Sequence, residues 1–392
     1  MSIPLKCLRW FASAFIIVYS IYIHAFNPVM GFDKILFLCL ALFGFFFIYF
    51  KFSKAFILAL IMLLIQFFVS ILHSESFRAS TIIYSVMLTF SFVSIYTLVY
   101  DKHIFTNEQF VQLLKFLIKI FFIFCIIQQV LIIIGYRNIP WLNLYYLDRG
   151  IGCRSLSYEP SSFARFMFVF YFAYIKCIGY RQGIALSIKD LFKQEHRNIT
   201  LMFLWMMCSM GSGTAFVCLT LLLLNFITKR NWYYIAPISL FIIFVVLPLF
   251  NFEQTSRAVN IMSAMTTLDQ SQVEAADGSG ASRISPLLNS FSADFSQKET
   301  WLGHGIDYAI NNNLVFKQDA TLFDDYGFLW YVSTIALSIS TAYGFSPITI
   351  VYMFSGTAGG TGGLGGNTNY AWALMIIMSC VRYFYLNRKI QQ

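Results

Sequence analysis

Charge is what this sequence has least of: Asp, Glu, Lys and Arg together make up 11% of its 392 residues, against 58% apolar ones. A soluble globular domain carries about 25% charged and about 45–50% apolar residues, so a water-facing surface over the whole chain is excluded. Strict apolar–polar alternation is also missing, which excludes a membrane β-barrel. The eight cysteines contain no CxxC pair. Most of them fall in apolar runs, and only Cys153 lies in an expected outer loop, so neither a disulfide nor a metal–thiolate site is expected. HExxH, GxSxG and DxD patterns are absent. The net charge of +9 comes from basic residues spread among short loops; it points away from nucleic acid and towards orientation in a membrane. No internal repeat of the transporter kind is visible. No small-residue cleavage site precedes a polar region, so the first apolar run reads as a retained span.

What is present is a series of apolar runs of about 17–25 residues, each able to cross a hydrocarbon core of about 30 Å. They predict an all-α polytopic membrane protein of about 12 transmembrane helices, several of them short, with one large extracytoplasmic loop. Lys6 and Arg9 place the N-terminus inside, ahead of a first span at Trp10–Phe26. Further spans are expected at Ile35–Phe50, Ala55–Leu72, Thr81–Tyr100, Val111–Ile134 and Phe163–Tyr180, the last entered from an aromatic outer loop over 135–160. Asn198–Thr228 is too long for one span, is broken by Gly211-Ser212-Gly213, and is basic at both ends. This favours a hairpin of two short helices with its tip outside; one long tilted helix is the alternative and would invert everything after it. Trp232–Phe250 then leads outward, Tyr326–Tyr343 returns, and Tyr370–Phe384 closes the membrane part after the glycine-rich stretch Gly356–Gly366. The chain therefore divides into a helical region over 1–250, a large outer loop over 251–325, and C-terminal helices over 326–392.

Polarity concentrates in two places. The loop 251–325 holds ten of the 18 acidic residues, with Arg257, Arg283 and His304. A shorter stretch, Arg149–Arg165, brings Arg149, Arg154, Glu159 and Arg165 to the entrance of a span. Pro160 there suits the first turn of a helix, whose free N–H groups and dipole favour an anion. Arg165 would sit within the span, where ionisable groups are costly and usually functional. An Arg154–Glu159 or Arg165–Glu159 pair that merely pins the loop is the alternative. Arg257 and Arg283 suit a diphosphate because a guanidinium donates two parallel hydrogen bonds; solvated surface charge is the other reading. His304 stands between Gly303 and Gly305, which let the backbone bring an imidazole close to a substrate; an exposed turn is the other reading. Gly211-Ser212-Gly213 reads as helix packing, and Gly356–Gly366, which lacks the lysine of a phosphate-binding loop, as a flexible loop. His24 and His73 lie near outer span ends and receive no role. Asp324 and Asp325 read as interfacial.

Arg154-Ser-Leu-Ser-Tyr-Glu159-Pro-Ser-Ser-Phe-Ala at an outer loop entering a span resembles the corresponding region of Wzy-type O-antigen polymerases, relatives of the O-antigen ligases. The likeness continues in order through the small-residue hydrophobic pair around MGSGTAF, one large outer loop with arginine, Leu302-Gly-His-Gly305, and a span opened by Asp325-Tyr-Gly-Phe328. It covers roughly the last 250 residues. The resemblance implies a GT-C-like membrane glycosyltransferase of a bacterial inner membrane, with its active site facing the periplasm. It implies metal-independent transfer of glycan from an undecaprenyl-diphosphate carrier to a second carrier-linked repeat unit, in O-antigen or surface-polysaccharide synthesis. No cofactor is implied; the partners are the lipid-linked oligosaccharide, the bilayer and a chain-length regulator protein. It also assigns Arg154 and Arg283, with Arg257 third, to the diphosphate, and Glu159 or His304 to the base. The ligases place their histidine before an Asn and a span, unlike Gly-His-Gly here. An O-antigen ligase, or a flippase or transporter for lipid-linked oligosaccharide, is the alternative.

Overall fold

The computed structural model describes residues 4–25, 41, 44, 51–136, 151–157, 159–226, 233, 237, 293–306, 308, 321–346, 349–350, 353 and 369–387. Among the described residues all regular structure is helical. In chain order the helices are α1 (Leu5–Ala25), α2 (Lys54–Leu72), α3 (Ala79–Tyr100), α4 (Asn107–Ile134), α5 (Pro160–Gln182), α6 (Ile188–Leu191), α7 (Gln194–Ser209), α8 (Gly213–Leu224), α9 (Lys298–Leu302), α10 (Thr321–Ser338) and α11 (Asn369–Leu386). A 3-10 turn, Ser74–Ser76, follows α2, and a π turn, Ile339–Tyr343, continues α10. α2, α4, α5 and residues 81–100 of α3 are long and apolar enough to cross a membrane. The expected spans at Ile35–Phe50 and Trp232–Phe250, and the glycine-rich stretch Gly356–Gly366, lie outside the described residues apart from single positions.

Local chemistry sets the helix starts. Ser53 caps α2 by accepting from the Phe56 N–H at 3.2 Å. Thr106 and Gln109 form a reciprocal capping box at α4. Pro160 occupies the first turn of α5, where its missing N–H costs nothing. The faces of α2 are inverted relative to a soluble helix. Ile57, Leu60, Ile61, Leu64, Phe67, Phe68 and Ile71 are exposed at helical spacing, while Gln66 and Ser70 are buried. Exposing that apolar stripe to water would cost about 1.5–3 kcal/mol per side chain; in hydrocarbon it costs nothing. The distribution suits a lipid-facing helix.

The described helices sort into two compact units. The first contains α1, α4 to α8, and α11 from Cys380; the second contains α2, α3, α9, α10, and α11 up to Ser379.

In the first unit α5 is the central helix, with 19 of its 23 residues buried. It packs antiparallel on α4. Phe121 of α4 meets Phe163, Phe166 and Phe170 at ring distances of 5.9, 6.0 and 5.8 Å, and the Asn107 side chain donates to the Cys177 carbonyl at 3.0 Å. From Phe121 to Asn107 and from Phe163 to Cys177 is 14 residues in each case, so the two helices keep register. α7 packs on α5 through Tyr171, whose ring stacks on Phe203 at 4.0 Å and whose hydroxyl donates to Thr200 at 2.9 Å. The chain breaks at Met210–Ser212 and returns as α8. A straight continuation would carry Phe226 about 39 Å from Thr200; both line one apolar cavity of about 350 Å³. The two-helix hairpin expected over Asn198–Thr228 is therefore found, and the single long helix is not.

Candidate functional site

The site-bearing part of the first unit is a strap, residues 151–157, laid along α4. The α4 helix has 28 residues and so is about 42 Å long. The strap meets it at Phe121, Cys125, Gln128 and Gln129: the Ser155 hydroxyl donates to the Phe121 carbonyl at 2.6 Å. Phe121 lies about 20 Å from the C-terminal end of α4, so the strap reaches the helix's middle. Irregular backbone at such depth in a membrane protein requires internal partners for its polar groups. Gln128, fully buried, supplies them. Its Oε1 accepts from the N–H groups of Arg154 (3.1 Å) and Ser155 (2.7 Å), and its Nε2 donates to the Ser155 carbonyl at 2.8 Å. Those bonds hold Ser155 at φ +49°, a left-handed conformation that costs a side-chain-bearing residue about 1–2 kcal/mol.

Within the outer loop expected over 135–160, this corrects the expectation of a water-facing backbone at residues 152–157. Gly152 to Ser157 are buried, and Arg154 is 7% exposed. Burial follows from the glutamine clamp, a contact across 26 residues that loop composition does not encode. Arg165, in the second turn of α5, is 3% exposed, as its place within an apolar run implied. Glu159 stands at the start of α5 with its side chain outward, making no cap bond to the helix. The Ser161 hydroxyl donates to the Glu159 carboxylate, and Glu159 forms no ion pair with Arg154 or Arg165 among the described residues. The pinning pair is thus not the reason for either arginine. Arg149, Arg257 and Arg283 lie outside the described residues.

His304 belongs to the second unit. The short helix α9 ends at Gly303, whose N–H donates to the Glu299 carbonyl at 2.7 Å. The chain then crosses the kinked start of α10: the Gly305 N–H donates to the Asp325 carbonyl at 3.0 Å. A Cβ at Gly303 would come within 2.3 Å of that Asp325 oxygen, and one at Gly327 within 2.4 Å of the Trp301 oxygen. Both glycines also hold positive φ, +68° and +78°, so no other residue fits either place. The Leu-Gly-His-Gly and Asp-Tyr-Gly motifs are two halves of one interlock. Phe295, Trp301 and Phe328 seal its outer side at ring distances of 5.0 to 5.6 Å. The His304 imidazole is half-buried and stacks on Tyr308 at 4.1 Å.

Two residues left without a role by the sequence reading belong here. Gly305 sits against His73, since a Cβ on it would lie 2.6 Å from the His73 Cβ, and His73 Nδ1 lies 3.6 Å from the Glu75 carboxylate. Asp325 is buried at 7% exposure instead of interfacial, because its backbone forms the floor under Gly303. Tyr326, next to it, accepts at its hydroxyl from Gln66 Nε2 at 3.1 Å, and the same nitrogen donates to Ser85 at 2.9 Å. Sequence reasoning missed Gln128, Cys125, His73 and Asp325; for Gln128 a signal existed, two adjacent amides, Gln128 and Gln129, inside an apolar run.

Comparisons of the chain with protein-family models, with curated proteins and with solved structures return no match.

Proposed function

We propose that this protein is a membrane glycosyltransferase that polymerises lipid-linked oligosaccharide repeat units, of the O-antigen polymerase kind. The observation that carries the reading is the pair of buried guanidiniums, Arg154 and Arg165, flanking in sequence the uncapped start of α5. A buried cation is expensive and is retained where an anion is handled. Helix N–H groups and a dipole's positive end add to the same preference. A sugar on undecaprenyl diphosphate brings its own leaving group, so the protein must stabilise a departing diphosphate, and arginine forks do that.

In this proposal the acceptor hydroxyl oxygen attacks the anomeric carbon while the bond to the diphosphate oxygen breaks. The diphosphate leaves with the electron pair, and the hydroxyl proton passes to Glu159, with His304 as the competing base. A direct displacement inverts the anomeric centre. Arg283, Arg257 and Arg149 are proposed as further diphosphate or glycan contacts. The remaining spans, to about 12, a GT-C-like architecture, and an inner-membrane placement with the site facing the periplasm belong to the same proposal. A flippase or exporter is the alternative, since buried cations such as Arg154 and Arg165 also suit a transport site; the gel pattern below separates the two.

The test is the surface-polysaccharide gel pattern of a deletion strain complemented with Arg154→Ala or Arg165→Ala at normal membrane levels. The ladder should collapse to a single capped repeat in both. An unaltered ladder in both variants rejects the proposal, and loss of all attached glycan in the deletion strain redirects it to ligase or flippase.

A further inference from the structure

Among the described residues seven cysteines occur and none is joined in a disulfide, yet two of them face each other. Cys125, in the middle of α4, and Cys153, on the strap, place their Sγ atoms 2.9 Å apart. Two unbonded sulfurs do not ordinarily approach so closely, and a disulfide needs about 2.0 Å. Both residues are buried, at 0% and 2% exposure. The Gln129 Nε2 lies 3.8 Å from the Cys153 sulfur. We propose that Cys125 and Cys153 are a disulfide in the mature protein, one that staples the arginine-bearing strap to α4.

The placement favours oxidation. The C-terminal half of α4 leads to the outer side in the orientation adopted under the proposed function, and the inference rests on that orientation; disulfides persist in such compartments. Cys177, whose carbonyl pairs with Asn107 at the opposite end of α4, serves as an internal control that should stay reduced. The bond would close a loop of 28 residues between Cys125 and Cys153 and add a covalent tie to the hydrogen bonds that Gln128 and Ser155 make between strap and helix. The chemistry balances as thiol–disulfide exchange. A thiolate of one cysteine attacks a protein disulfide donor, giving a mixed disulfide; the second cysteine displaces the donor's sulfur. Two thiols here lose two protons and two electrons, and the donor's disulfide becomes two thiols. Because both sulfurs end up buried, exchange precedes closure of the strap.

The experiment uses the full chain in native membranes. Free thiols are blocked with N-ethylmaleimide in SDS without reductant; the remainder are then reduced, labelled with a heavier maleimide and mapped by mass spectrometry. Cys125 and Cys153 should carry the second label, and Cys7 and Cys177 the first. Light label on both Cys125 and Cys153 overturns the proposal. Heavy label persisting on Cys125 in a Cys153→Ser variant also overturns it, since Cys125 would then be paired elsewhere. Reductant should lower the melting temperature of the unaltered protein by several degrees and leave the Cys125→Ser variant unmoved; equal shifts count against it. The polysaccharide ladder reads the proposed function separately: a normal ladder with both thiols light-labelled rejects the disulfide alone.

Discussion

Gln128 has one carboxamide and gives all of it to the strap. Replacing it with leucine fills the space but orphans the Arg154 and Ser155 N–H groups and the Ser155 carbonyl. Each buried unpaired group costs about 1–3 kcal/mol, so Gln128→Leu should destabilise the detergent-solubilised protein by about 3 kcal/mol or more in a denaturant titration. A loss below about 1 kcal/mol would mean the strap is held by other means. At Arg154 the distinction is chemical. A lysine there keeps the charge and loses the fork, so Arg154→Lys should shorten the polysaccharide ladder nearly as far as alanine does. Full activity of the lysine variant would show that charge alone suffices.

Elements in this protein are joined by crossings and clamps. Gly327 kinks α10 where the turn after α9 passes beneath it. Alanine at Gly327 forces a left-handed residue, at about 1–2 kcal/mol, and a collision with the Trp301 carbonyl besides. Gly327→Ala should therefore lower the melting temperature more than an alanine at the free turn of Gly135, where a Cβ meets nothing within 4 Å although φ is also positive. Equal shifts would mean that conformation, not crowding, is the whole effect. At the foot of the α7–α8 hairpin, His196 is buried and its Nδ1 meets the Tyr174 hydroxyl at 2.8 Å. Burial holds its imidazole below the usual pKa, with the Lys115 and Arg181 charges adding and Glu195 opposing. The unfolded chain takes up this proton near pH 6.5 while the folded one resists. Its contribution to stability is present above about pH 6.5 and is lost as pH falls from there towards the lower folded value. Melting measured at pH 7.5 and at 5.5 should show a larger drop for the unaltered protein than for His196→Gln.

Across the whole molecule the polar chemistry needs a consistent sidedness. Tyr136, just past the end of α4, is 61% exposed, and Lys193, between α6 and α7, is exposed at its side chain. With Cys7 and Cys208, the exposed thiols among the described residues, and Cys39 replaced by serine, a membrane-impermeant maleimide should label Tyr136→Cys in intact cells. Lys193→Cys should react only after permeabilisation. The reverse pattern would invert the chain and remove the outer-face site with it.

What the sequence by itself determined is what hydropathy and local caps encode. Apolar runs placed α2 to α5 within a few residues, because a span needs uninterrupted apolar length; Pro160 and the Gly211-Ser212-Gly213 break marked where helices open and turn back. Arg154, Glu159 and Arg165 were visible as a group because they are neighbours in sequence. Only the tertiary structure decided that the strap carrying Arg154 lies buried at mid-helix, that Cys153 meets Cys125, and that His73 and Asp325 frame the His304 turn. Those contacts join residues 20 to 232 positions apart. Their energy comes from shape and hydrogen-bond complementarity between surfaces that exist only after the helices have packed, and no local pattern of residues records it.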